Sequence, residues 1–171
     1  MYYAFTYPYF RYCVTIWGNT YKTSLASLIN LQKRAIRIIC GKSSYAHTAP
    51  LRKKMKIFTL SEIYIYSVEL FMFKYQHLLL PNVFSSFFTL NKDVHAHYTR
   101  QHNLFHTPLS SSTNLIRIKG VTINNYLRRY VDNGCTLGTY KSRLKLYMQM
   151  NDVTFLTTWR TLYKTKYSYA V

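Results

Sequence analysis

The stretch "LSEIYIYSVELFMFKYQHLL", residues 60 to 79, constrains the fold more than any other part of the chain. Leu60, Ile63, Tyr64, Val68, Leu70, Phe71, Phe73 and Leu78 fall on most sides of a helix, and a helix that is apolar nearly all round has to be wrapped by other elements. Thr59, followed three residues later by Glu62, has the spacing of a capping box, in which each side chain satisfies the other's free backbone N–H. Pro81 marks the stop. Glu62 and Glu69 argue against a membrane span, which needs about 20 nearly uncharged residues. The pattern therefore predicts a mainly α domain built around one central helix.

A second helix is written in "LINLQKRAIRIICG", residues 28 to 41. Leu25, Leu28, Ile29, Ala35, Ile36 and Ile39 share one face at helical spacing. Thr23 or Ser24 offers an N-cap, and Gly41 suits the left-handed residue that closes a helix. Lys33, Arg34 and Arg37 line one flank. Gln32 sits in the middle of the apolar face, so it needs a buried hydrogen-bond partner. Next come Arg52, Lys53, Lys54 and Lys56, four cations within five residues.

The remaining chain is read more coarsely. Residues 1 to 21 form an aromatic, irregular N-terminal arm broken by Pro8 and Gly18. Residues 22 to 150 form a helical basic domain, with a long ordered loop and short helical turns over 82 to 113. "LIRIKG" alternates and predicts a short strand or extended arm. A helix over 122 to 131 then carries Arg128 and Arg129. The last helix starts near Thr136, with Leu137, Tyr140, Leu144 and Tyr147 inside and Lys141, Arg143 and Lys145 outside. Residues 151 to 171 form a weakly amphipathic tail. The fold class is a small irregular helical domain with extended aromatic and basic arms. No internal repeat is present.

Charge narrows the function. The chain has 23 Lys and Arg against 5 Asp and Glu, a formal net charge of +18. Such a field repels itself unless a polyanion neutralises it. With 49% hydrophobic residues, 18 Tyr and 10 Phe, this is no disordered basic tail. The patches at Lys33–Arg37, Arg52–Lys56, Arg117–Lys119, Arg128–Arg129 and Lys141–Lys145 have Tyr and His between them, whose faces can stack on bases. RNA or DNA held through its phosphates is the partner this combination favours. An anionic membrane surface fits less well, because the apolar face of the second helix is narrow.

Catalytic patterns are lacking. Glu62 and Glu69 stand about 10 Å apart on a helix, too far to share ions roughly 4 Å apart in a two-metal site. His95, His97, His102 and His106 lie close together, but only Asp93 accompanies them at ligand spacing. Solvated loop residues or phosphate donors fit them better than a zinc set. No GxSxG elbow or glycine-rich phosphate loop occurs. No catalytic residue, metal, cofactor or small-molecule substrate is assigned. Cys13, Cys40 and Cys135 are odd in number and widely spaced, which favours a reducing compartment. The N-terminus lacks the pattern of a secretion signal.

"YCVTIWGNTYKTSLASLINLQKRAIRIICG", followed by "YAHTAPLRKKMKIFTLSEIY", resembles the region after the polymerase core in open reading frame 2 proteins of non-LTR retrotransposons, of the jockey and chicken-repeat type. That motif runs Y-x-x-x-x-W-G, a leucine-rich spacer, then L-Q-K-R-A-[IV]-R-I-I. Tyr12, Trp17, Gly18 and Leu31 through Ile39 fit it. So do Ala46 through Leu51, Phe73 through Tyr75, residues 79 to 81, and His95, Thr99 and Arg100 of an H-x-Y-x-T-R pattern with His97 at the Tyr position. The likeness spans about residues 9 to 148. It departs at Val121, Asn124 and Arg128, where the family pattern has Pro, Trp and Pro. The resemblance implies a non-catalytic segment of an RNA-directed DNA polymerase, without its endonuclease and palm. Such a segment would hold template RNA or target DNA, pack against the polymerase thumb and palm, and reside in nucleus or cytoplasm as a ribonucleoprotein rather than being secreted.

Overall fold

A computed structural model describes residues 1–95, 97–98, 100–108, 116–131, 134, 136–151 and 153. Among them the chain is mainly helical. A π-helical turn, Tyr2–Thr6, leads into α1 (Tyr7–Arg11) and α2 (Val14–Trp17). Then come α3 (Lys22–Ile39), α4 (Thr48–Met55), α5 (Leu60–Gln76), a 3₁₀ turn at Asn82–Phe84, α6 (Asn91–Val94), α7 (Ile116–Leu127) and α8 (Leu137–Met150). No strand occurs among the described residues, only an isolated antiparallel bridge between Leu90 and Phe105.

α5 is the central helix the sequence predicts. The capping box is formed: Glu62 N–H donates to Thr59 Oγ1 at 3.2 Å, and Thr59 N–H donates to Glu62 Oε2 at 2.6 Å. Ile63, Tyr64, Ile65, Val68, Met72 and Phe73 are fully buried, with α1, α2, α7 and α8 packed around them. The helix ends earlier than read, at Gln76. Leu78 turns the chain with φ 54°, its N–H and that of Leu79 donating to the carbonyls of Tyr75 and Lys74. That turn leaves Leu78 85% exposed rather than buried.

α3 closes as predicted. Gly41 has φ 59°, and the N–H groups of Gly41 and Lys42 donate to Ile38 O and Arg37 O, the paired bonds of a Schellman turn. At the other end, Thr23 and Ser24 are not caps. The helix starts at Lys22 with no side-chain cap, and the Ser24 and Leu25 N–H groups donate to Tyr21 O at 3.0 and 3.2 Å instead. Gln32 is buried and satisfied, donating to Tyr2 Oη at 2.7 Å and Phe58 O at 2.8 Å.

Two regions differ from the sequence reading. The aromatic stretch at the N-terminus is helical and contributes Tyr2, Phe10 and Val14 to the core. Residues 116 to 120 are not extended but open α7, and the helix read over 122 to 131 ends at Leu127. The local alternation of "LIRIKG" yields to a longer period in which Gly120, Ile123 and Leu127 lie buried against α5. A Cβ on Gly120 would come within 3.2 Å of Met72 Sδ, so its lack of a side chain lets the two helices meet. Lys119, read as part of an exposed basic patch, is buried, and burial lowers its pKa.

The loop with short turns that the sequence predicts over 82 to 113 is described from 82 to 108, residues 96 and 99 excepted, and carries the 3₁₀ turn and α6. It is fastened to α5 and α7 through Phe88, Phe105, Met72 and Val121. Helix α8 buries Tyr140, Leu144 and Met148, with Leu137 and Tyr147 half-buried beside them. Of the predicted tail, Asn151 and Val153 are described, and Val153 is buried. Residues 154 to 171 lie outside the described residues, as do Thr99, 109 to 115 and Cys135.

Candidate nucleic-acid interface

The surface begins with α4, which has no fully buried residue. Leu51 and Met55 pack against Tyr2, Ile36 and Ile57, so Lys53 and Lys54 are left pointing into solvent. Lys56 closes the helix in the left-handed conformation, φ 52°, and is exposed as well. The N–H groups of Lys56 and Ile57 donate to Lys53 O and Arg52 O, the same closure as in α3. Such a φ is strained for a residue with a Cβ. Here the turn is held because it carries Ile57 into the core.

Sequence reasoning missed how this run meets α8. Tyr3 donates its hydroxyl to Lys56 O at 2.8 Å, and Lys145 Nζ lies 5.3 Å from the centre of the Tyr3 ring. An ammonium over an aromatic face is held there by the ring quadrupole. Tyr3, itself 44% exposed, thus joins the cationic end of α4 to the exposed side of α8. No spacing in the sequence signals a meeting of residues 3, 56 and 145.

Helix α3 packs beside α4, and its flank is divided. Lys33 and Arg34 are exposed. Arg37 is half-buried and donates its Nε–H to Ala46 O at 2.8 Å, pinning the α3–α4 turn. Arg52 is likewise committed, its Nη1 2.9 Å from Glu62 Oε2. Arg128 and Arg129 sit past the end of α7. Arg128 donates to Asn103 O at 2.8 Å, which ties it to the 82–108 loop rather than to α3 and α4. Of the nine predicted contacts, Lys33, Arg34, Lys53, Lys54 and Lys56 lie exposed on α3 and at α4, Arg37, Arg52 and Arg128 hold the fold, and Arg129 is exposed beyond α7.

The carboxylates do little to offset this charge. Glu62 is buried against Arg52, and Glu69 is buried completely. Asp93 accepts from the Leu90 N–H at 3.3 Å. Asp132 and Asp152 lie outside the described residues. Among the described residues no group of three or more His, Cys, Asp or Glu is placed to hold a metal ion. No helix among them is long and apolar enough to cross a membrane. Comparison with protein-family models, curated proteins and solved structures finds no match.

Proposed function

We propose that this chain is a non-catalytic module that holds RNA or DNA by its phosphates, of the kind that follows the palm in non-LTR reverse transcriptases. The observation that carries the reading is the cationic surface on α3, α4 and α8, joined at Tyr3, in a protein whose described acids are buried or capping. Exposed Lys and Arg of this kind give sequence-independent contacts; base readout is not part of the proposal.

The test is binding of labelled RNA and duplex DNA across a salt series. If about six phosphates are neutralised, affinity falls roughly a thousandfold between 50 and 200 mM salt. The triple variant Lys53→Ala, Lys54→Ala, Lys56→Ala flattens that slope by about three contacts. Wild-type protein that ignores both nucleic acids at low salt overturns the reading.

A second reading has its own observation. Phe5, Tyr9, Tyr12 and Ile16 are 69, 81, 77 and 80% exposed, at spacings that put apolar side chains along the outside of the N-terminal helices. An apolar strip like this suits packing against another protein surface, such as the palm and thumb of a longer polymerase. The same salt series separates the two readings, because self-association through that strip strengthens as nucleic-acid binding weakens.

A further inference from the structure

Between α6 and the returning chain lies a cleft of about 390 Å³ lined by Asn91, His95, Arg100 and Gln101. We infer that it is a binding site for a phosphate group. Every lining side chain carries an N–H donor, and Asp93, the only acid between residues 82 and 108, is turned to the Leu90 N–H. Among the described residues, the Arg100 guanidinium and the Gln101 amide have no hydrogen-bond partner. The His95 ring does no more than meet the His106 ring edge-on at 5.6 Å. Three side chains with N–H donors thus line one cleft, with no carboxylate among its described lining residues.

The walls are held apart by backbone bonds rather than left to collapse. Asn91 N–H donates to Leu104 O at 2.9 Å, Lys92 N–H to His102 O at 3.1 Å, and His106 N–H to Thr89 O at 2.9 Å. Across the base, Asn91 Nδ2 donates to Gln101 O at 2.8 Å. Phe88 and Phe105 root the lobe on α5. The Arg100 guanidinium at this cleft can pair two parallel N–H groups with two oxygens of one phosphate, leaving the imidazole and amide for the remaining oxygens. The exposed Tyr98 ring, 4.5 Å from that of His102, stands close by along the chain for a base attached to that phosphate. The inference is independent of the α4 surface, because a free phosphate monoester satisfies the same donors as a nucleic-acid phosphate.

The experiment titrates the full chain with inorganic phosphate at constant ionic strength, following the Arg100 Nε–H and His95 ring signals by NMR. Saturable shifts at both are expected, with affinity in the millimolar range. Arg100→Ala weakens it about tenfold or more, the loss of charge-assisted hydrogen bonds, and Arg100→Lys restores part. Arg100 is exposed and unbonded, so the variant's thermal melt stays at the wild-type position. Lys53→Ala with Lys54→Ala leaves phosphate affinity unchanged. Oligonucleotides of one sequence, with and without a 5′-phosphate, then identify the source. A preference for the phosphorylated form that Arg100→Ala abolishes assigns an end phosphate. Equal binding, equally weakened, assigns an internal phosphodiester, and an effect on inorganic phosphate alone assigns a small free ligand. Absence of saturable shifts at tens of millimolar phosphate, or an Arg100→Ala variant with undiminished affinity, overturns the inference.

Discussion

Glu62 and Glu69 occupy one helix, and both are buried, yet the two ends of α5 treat them differently. Glu62 meets a full guanidinium, Arg52 at 2.9 Å, and the Thr59 backbone N–H at 2.6 Å. Among the described residues Glu69 meets neutral donors. Tyr140 Oη donates to its Oε1 at 2.6 Å and Asn124 Nδ2 donates to the same oxygen at 2.8 Å, while Oε2 has no hydrogen-bond partner among the described residues. Gln76 extends the network by donating to Asn124 Oδ1 at 3.0 Å. The comparison separates two uses of a carboxylate. Near the surface, with a cation, it fastens α4 to the start of α5. In the middle of the core, with neutral donors, it joins α5, α7 and α8 while burial disfavours its charged form.

The largest consequence is a pH dependence. Burial raises the Glu69 carboxyl from its ordinary 4.5 to about 7, against the lowering effect of the two hydrogen bonds. The folded chain therefore binds a proton that the unfolded chain has released between these values. Its stability contribution is complete below 4.5 and is lost as pH rises through 7. The loss amounts to about 3 kcal/mol on the scale of 1.36 kcal/mol per unit. Urea unfolding at pH 5 and pH 8 should show that decline in wild type and not in Glu69→Gln, whose amide keeps an acceptor oxygen for Tyr140 and Asn124. Identical slopes for both chains would erase the distinction between the two ends of the helix.

Next in size is the other end. Glu62→Ala removes one half of the capping box and leaves Arg52, three-quarters buried, without its anion. The cost is about 2 kcal/mol, combining a lost cap with a partly screened ion pair. Thermal melts of Glu62→Ala and Arg52→Ala, singly and together, measure the coupling. A double variant no better than the sum of the singles would show that the capping bond alone matters.

The contrast also explains what was legible in the sequence. The capping box lies within four residues, and the buried amide of Gln32 lies at the centre of an apolar face, so local spacing revealed both. Helix α7 is not legible locally, because six residues of alternation satisfy a strand, while its true period needs twelve and includes a buried lysine. The Glu69 network was invisible, because its partners stand 55 and 71 residues away. The same reason hid Tyr3 between Lys56 and Lys145. By spacing alone Arg37 and Arg52 count as free cations, since composition does not say whether a guanidinium faces solvent, a backbone carbonyl or a buried carboxylate. The flank of α3 and the run on α4 were legible as charge, but their division into exposed and structural members was not.

The smallest test sharpens the comparison from within the core. Tyr140→Phe keeps the ring, which stacks on Phe73 at 4.1 Å, and removes only the hydroxyl that reaches Glu69. At pH 5 the acceptor is a neutral carboxyl, and losing one such bond costs about 1 kcal/mol. At pH 8 the acceptor is ionised, and a bond to a charged group is worth about twice as much. Without that donor, Glu69 has lost its strongest stabiliser of the charged form, so its pKa rises further. The variant's pH dependence should therefore be steeper than that of wild type, opposite to Glu69→Gln. Equal losses at the two pH values would mean that the Tyr140 hydroxyl does not sense the charge on Glu69, and that α8 is held to α5 by ring packing alone.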